Sequence, residues 1–389
     1  MRVLVVGAGV AGLTLAALLA RQGRRPTVLE RSTVARDGYA IGLYPLGSRV
    51  LHGLGRYREF GERGLVLERY EIADQAGRPL RAVDMSVLTG GTGPVVMVRR
   101  RSLLDLLGAA CAGAQIRRGD TVAGLEQDGR GVRVTFGRGA DERFDLVVGC
   151  DGMGSTVRDL VFGPQPGFAS GWVLLTWWAG PERFSGPVAR EWWGHDRFFG
   201  AYPVPGAVMC VAGAPAGALV PTDRAGLGEA PRRLTEPFAG CIAGLAGALS
   251  DADGTPDTDG ADGTLPVHLW SMRDVRSRAW VDRRVALCGD AAAGFLPTAG
   301  VGASAAMRAA AGLADELSRA DAATVPLALQ LYEKRCRRVV QRNQSESRWL
   351  ARVMFPRRAV LCPARDQLVR RFPMARAVSG IVASSRTPF

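Results

Sequence analysis

The chain has 389 residues, a formal net charge of +13 and 47% hydrophobic residues. That length can bury the core of one large two-lobed unit and is expected to leave no room for an appended carboxyl-terminal domain; no apolar run reaches the roughly 18 residues of a membrane span without interrupting glycines. Arginines are scattered along the whole chain and Lys334 is the only lysine, so the positive charge makes no nucleic-acid footprint, although a diffuse field of this sign would attract a small anion.

The first element is an apolar run, Val3 to Val6, followed by the turn GAGVAG at 7 to 12 and a helix-like run from Val10 to Ala20. This reads as strand, turn, helix. Gly7 permits the tight turn, Gly9 lets backbone approach a pyrophosphate, Gly12 lets the helix pack close to the strand, and the helix start at Val10 and Ala11 offers free N–H groups to the anion. The next apolar run, Pro26 to Leu29, ends at Glu30 and Arg31, about 20 residues on, where a carboxylate bonds the ribose hydroxyls of a dinucleotide. Arg2 followed by apolar residues also mimics a signal peptide, but glycines at turn spacing and the strand that follows oppose that reading.

Further along, Arg101 with Leu104 and Leu107 opens a helix, and three strands, Thr121 to Leu125, Val132 to Phe136 and Phe144 to Val148, form a meander with turns at Asp128-Gly129 and Gly137-Arg138. Asp151-Gly152 and Arg158 stand in the stretch DLVVGCDGMGSTVR at 145 to 158. Two insertions, 66–94 and 163–279, are rich in β-branched and aromatic residues and suggest a sheet. The Gly/Asp/Thr stretch Asp251 to Thr264 reads as a surface loop.

The late stretch GDAAAGFLPTAGVG at 289 to 302 decides which dinucleotide is bound. The strand Arg284 to Cys288 ends in Gly289-Asp290, where a carboxylate can bond a polyol such as the ribityl chain of FAD. Pro297 stiffens the loop, and Gly300, Val301 and Gly302 present backbone before an alanine-rich helix, Ala303 to Leu317. The start of that helix would face the flavin pyrimidine edge, where negative charge collects on reduction. From Val325 a helical pattern runs to about Phe355, followed by a Pro-broken tail, Pro356 to Phe389; this region is expected to pack on the cofactor domain, the alternatives being to cover the pocket or to contact another subunit.

Taken together, these motifs resemble those of the single-component flavoprotein monooxygenases of the para-hydroxybenzoate hydroxylase type, the class A enzymes. The resemblance implies an α/β fold: a Rossmann-like FAD-binding domain of the glutathione-reductase type at 1–65, 95–162 and 280–325, an inserted β-sheet substrate domain at 66–94 and 163–279, and carboxyl-terminal helices at 326–389. It implies that Arg101 reaches FAD and that Asp151 and Arg158 belong to the family's Asp-Gly motif. It implies, too, that NADPH or NADH reduces the flavin transiently and that O2 adds at its C4a carbon, the hydroperoxide passing one oxygen atom to an aromatic or polyketide-like substrate by hydroxylation or epoxidation. Two positions depart from the pattern: Ala293 stands where most of these hydroxylases have histidine, and Met307-Arg308 where an acidic residue is usual.

The substrate side is expected among Trp172, Trp177, Trp178, Trp192, Trp193, Phe198, Phe199 and Tyr202. If residues 193–197 form a strand, alternation puts Trp193, His195 and Arg197 on one face. His195 is then the candidate base for a substrate hydroxyl, and Trp193, Arg197, Phe199 and Tyr202 are the candidate contacts. Seven cysteines, Cys111, Cys150, Cys210, Cys241, Cys288, Cys336 and Cys362, show neither CxxC nor metal spacing, which fits reduced thiols in the cytoplasm and no metal site. Competing functions are a dehydrogenase or reductase on the same scaffold, and a non-redox cyclase using FAD as structure. A flavin halogenase would need a pocket lysine and a WxWxIP segment, and Lys334 and Trp177-Trp178 supply neither.

Overall fold

The computed structural model describes residues 1–34, 38–165, 167–181, 186–218, 224–238, 242, 267–356 and 358–371. Cys241, the stretch Asp251 to Thr264 and the end of the carboxyl-terminal tail lie outside the described residues.

A six-stranded sheet organises the first lobe. Val3–Val6, buried at every position, pairs in parallel with Thr27–Glu30 on one side and Leu146–Gly149 on the other, and the latter pairs in parallel with Val285–Leu287. Strands with no polar alternation suit a parallel sheet covered on both faces. The helices Val10–Arg21 and Gly302–Ser318 pack together on it. Because the four strands run the same way, the residues at or just beyond their carboxyl ends share one edge: Gly7, Glu30, Asp151 and Asp290.

The meander exists, but its third strand differs from the expected Phe144 to Val148. Asp141–Phe144 pairs antiparallel with Gly131–Phe136, whereas Leu146–Gly149 joins the parallel sheet. The division falls at Asp145, whose N–H donates to the Arg2 carbonyl at 2.9 Å, and only the residues beyond it are apolar enough for a fully covered strand.

The second lobe is a seven-stranded sheet in the order His268–Arg276, Gly167–Ala179, Ala207–Pro215, Phe198–Val204, Val188–Trp193, Arg69–Asp74, Pro79–Asp84. Side chains alternate between two faces. Leu174, Trp193, Phe198 and Met209 point into the core shared with the first lobe. Trp177, Trp192, Phe199 and Ala201 form a second core on the outer face, with Leu234 and Phe238.

The 30-residue helix Val325–Met354 ties the lobes together. Gln344, buried in its middle, donates from Nε2 to the carbonyls of Gly294 at 2.7 Å and Val275 at 2.8 Å; Ser347 Oγ donates to the Leu296 carbonyl at 2.8 Å. The late glycine loop is thus anchored from behind, whereas the described helix of the tail, Cys362–Arg371, packs on the second lobe against Pro79–Asp84 and not on the cofactor lobe. No helix among the described residues is long and apolar enough to cross a membrane.

Gln344→Met keeps the volume and removes both donors, so that two buried carbonyls, already joined to each other's N–H groups in the Val275–Gly294 bridge, each lose a second hydrogen bond, at a cost of about 0.5–1.5 kcal/mol apiece. The expected outcome is a clearly lower unfolding midpoint in urea with an unchanged m-value; an unchanged midpoint would show that the anchor contributes nothing.

Candidate functional site

The early turn is shaped by contacts that admit no side chain. A Cβ on Gly12 would lie 1.9 Å from the Gly7 carbonyl oxygen, so glycine there lets the helix Val10–Arg21 start against the turn. A Cβ on Gly9 would meet nothing within 4 Å, which leaves open space in front of the turn. No side chain caps the helix, and its first N–H groups face that opening. Glu30 closes the far side: its Oε2 accepts from the Ala8 N–H at 2.8 Å and its Oε1 from the Ser32 N–H at 2.9 Å, fixing the carboxylate across the mouth of the turn. Arg31 lies exposed beside it.

The late motif meets this turn directly. Gly289, with φ of +64°, adopts a conformation that favours glycine, and a Cβ there would stand 2.6 Å from the Ala11 methyl. Asp290 follows, half-buried, and its carboxyl is pushed up to about 6 by burial, against which the Arg100 guanidinium works. Pro297–Ala299 makes a 3₁₀ turn, Gly300 is left-handed, and Gly302 opens the helix Gly302–Ser318 with no side-chain cap. Val301, by contrast, is buried.

Asp151 is engaged locally. It accepts from Ser155 Oγ at 2.5 Å and from the Val157 N–H at 3.2 Å, which secures the start of the helix Thr156–Phe162. Burial raises its pKa while those bonds lower it. Arg158, buried, donates to the carbonyls of Ala291 at 3.2 Å and Met153 at 2.9 Å and so joins the Asp-Gly motif to the late loop.

Arg101 is not the arginine that faces the site. Its Nε pairs with Asp105 at 3.2 Å on the outer side of the helix Arg100–Ala109, with the side chain 42% exposed. Arg100 turns inward instead, interacting with Asp290 and lying 5.7 Å from the centre of the Tyr39 ring. Tyr39 in turn stacks on Trp270 with ring centres 5.2 Å apart.

On the sheet opposite, Trp193 and Tyr202 converge on Glu191, a carboxylate only 5% exposed. Trp193 Nε1 donates to Glu191 Oε2 at 2.7 Å, Tyr202 Oη donates to Oε1 at 2.5 Å, and Tyr70 lies beside them, its hydroxyl pushed up first by burial and then by the Glu191 charge. Tyr44 completes the group, its hydroxyl pushed up to about 12 by burial and by the Glu191 charge. Its N–H donates to Ser304 Oγ at 3.0 Å, and its ring edge is 3.9 Å from where a Gly300 Cβ would stand. The cluster therefore sits directly against the late glycine loop.

Three expected contacts lie elsewhere. Phe199 belongs to the outer core with Trp177 and Trp192. His195 and Arg197 are not on a strand: residues 194–197 form a tight turn in which the Gly194 N–H donates to the Arg197 carbonyl at 3.0 Å and Asp196 has φ of +52°. His195 Nδ1 is 3.4 Å from Asp196, and Arg365 holds the turn from behind by donating to the carbonyls of Trp193 and Gly194. Reading the sequence missed Glu191, Tyr70, Tyr44 and Arg100. One signal was available: Glu191 is a charge whose same-face strand neighbours, Ala189 and Trp193, are apolar, in the run AREWW.

Open space before Gly9, two uncapped helix starts, a ribose-side carboxylate and an Asp290 left facing the cleft fit a flavin dinucleotide. Fold and site together define an FAD-binding oxidoreductase. Residues 1–347 match the family model described as FAD binding domain, and the chain belongs to that family. It is 31% identical over 348 residues to a 3-amino-4-hydroxybenzoate 2-monooxygenase of Streptomyces platensis, covering 86% of this chain and 83% of that one. It is 29% identical over 367 residues to the 6-hydroxynicotinate 3-monooxygenase of Pseudomonas fluorescens, covering 90% and 91%. Among solved structures, Klebsiella pneumoniae HpxO complexed with FAD and uric acid superposes with a TM-score of 0.83 at 24% identity, over 99% of this chain and 96% of that one, a likeness of fold. The chain is an FAD-dependent monooxygenase.

Two outcomes follow for the cofactor side. A carboxyl raised from 3.8 to about 6 penalises the folded state above the raised value and not below the ordinary one. The cofactor-free Asp290→Asn protein should therefore be more stable than its parent at pH 7–8, by at most about 3 kcal/mol, with the difference falling to about 0.6 kcal/mol at pH 4, while binding FAD more weakly; denaturant melts at both pH values and a flavin titration read this directly. For the arginine pair, Arg100→Ala should purify with markedly less flavin and Arg101→Ala with the parental amount; the reverse ranking would restore Arg101 to the site.

Proposed function

We propose that this monooxygenase hydroxylates an aromatic small molecule held between the late glycine loop and the inner face of the seven-stranded sheet. The carrying observation is the position of Tyr44, which touches the loop on one side and feels the Glu191 charge on the other, so that the loop and the polar cluster border a single cleft. Tyr202 and Tyr70 would line it on the sheet side, with Trp193 buried behind them and Trp178 and Trp270 giving the flat apolar wall suited to an aromatic ring.

The backbone of Gly7, Gly9, Val10, Ala11 and Gly12 would hold the FAD pyrophosphate, Glu30 the adenosine ribose and Asp290 the ribityl chain, with Arg100 balancing the charge of Asp290. The amides of Gly300, Val301 and Gly302 would face the pyrimidine edge. Bound there, flavin supplies the redox chemistry, taking reducing equivalents from NADPH or NADH and activating O2. The protein's own part is to hold the ring plane against the sheet, exclude water with the aromatic wall and orient the substrate through the Glu191 group. We assign His195 to the turn it occupies and not to proton transfer. The six described cysteines are all unpaired, which supports a reducing, cytoplasmic setting.

The test is NADPH- and NADH-dependent oxygen uptake across a panel of hydroxylated and aminated one- and two-ring aromatics. The expected result is uptake stimulated by at least one of them, with one oxygen atom in the product. Flavin reduction by substrate alone under anaerobic conditions would favour a dehydrogenase, and turnover indifferent to O2 and reductant would favour a cyclase.

A further inference from the structure

Glu191 can do more than support its neighbours, because the donors around it leave no ambiguity about one of its oxygens. An indole N–H can only donate, so the Glu191 Oε2 that receives Trp193 must act as acceptor. Tyr202 Oη donates to the other oxygen, and Tyr70 lies beside the same group. Trp193 and Tyr202 thus occupy both carboxylate oxygens. Ionised, the carboxylate accepts both times and Tyr202 spends its single proton inward.

The backbone enforces that direction for Tyr202. Its ring lies across Gly200, where a Cβ would stand 2.7 Å from both the ring and Oη, so glycine two residues earlier on the same face lets the phenol fold back onto Glu191. Glu191 itself is buried, whereas Tyr202 and Tyr70 are each partly exposed. Whatever enters the cleft meets phenol oxygens and not the carboxylate.

Resting on the monooxygenase reading of this cleft, we propose that Glu191 sets the polarity of the substrate wall: by taking the proton of Tyr202 it leaves that oxygen as an acceptor, which selects a substrate presenting a hydrogen-bond donor, an aromatic hydroxyl or amine, at that end. A group of the same size that cannot donate is disfavoured, because it strands acceptors that water would otherwise satisfy. Glu191 is a specificity-determining residue acting through Tyr202, the side chain in direct contact.

The test is calorimetric titration of the flavin-loaded protein, without reductant, against two pairs of near-isosteric probes: 4-hydroxybenzoate with 4-fluorobenzoate, and 7-hydroxyquinoline with 7-fluoroquinoline. The parent should bind the hydroxy member of at least one pair about tenfold more tightly or better. Glu191→Gln should cut that ratio below about threefold, since its amide N–H turns a tyrosine proton towards the cleft. Tyr202→Phe, which keeps the ring over Gly200 and removes only the hydroxyl, should do the same and serves if the glutamine variant does not fold. The proposal is overturned if the parent binds none of the probes, if it shows no hydroxy preference in either pair, or if the preference survives in every variant that folds. Because no turnover is read, a hydroxy preference without oxygen uptake would sink the monooxygenase reading and leave this one standing, and uptake without preference would do the opposite.

Discussion

The fold depends on one contact, that of the Gly289 backbone with Ala11. The strands Val3–Val6 and Val285–Leu287 come from opposite ends of the chain, yet the turns that follow them must occupy the same few ångströms. Only a residue without a side chain, free to take positive φ, lets the late turn settle on the start of the first helix. Once it does, the helix starts at Val10 and Gly302 are brought to one opening, and Glu30 and Asp290 flank it. A dinucleotide is long enough to need all of these at once, and this contact assembles them.

From that junction outward the structure is a series of anchors placed behind the surfaces that face the cleft. Arg158 binds the Asp-Gly motif to the Ala291 carbonyl, Gln344 and Ser347 hold the late loop, and Arg365 holds the turn after Trp193. All are polar side chains, buried and directed at backbone carbonyls. Such bonds fix position more than they add stability, because each merely replaces a bond to water. Their common effect is that the elements bordering the cleft cannot shift independently.

The cofactor lobe was largely legible in the sequence because its determinants are local. Glycines at fixed spacing, an apolar strand before them and a carboxylate at a strand end are read within some thirty residues. Arg100 and Arg101 show where that legibility fails: Arg100 with Leu103 and Arg101 with Leu104 have the same spacing, and only the phase of the helix, with Leu103 and Leu107 fully buried, turns Arg100 inward. On the substrate side, Tyr70 meets Glu191 because Arg69–Asp74 pairs in parallel with Val188–Trp193, a long-range pairing no local pattern announces. Phe199 was assigned to the cleft without a way to tell the sheet's two covered faces apart, since both are apolar. The turn at residues 194–197 broke the alternation on which His195 and Arg197 had been placed.

That two-faced alternation has a consequence for how the sheet finds its alignment during folding. If Val188–Trp193 slipped by one residue, Glu191 would enter the outer apolar core and Trp192 would lose the company of Phe199, and every neighbour along the strand would be exchanged in the same step. The misaligned pairing would bury an unpaired charge, at a cost no aromatic contact could offset. The same carboxylate that gives the cleft its polarity therefore acts as a proofreading mark for strand alignment, and this sheet cannot readily lose the one without risking the other.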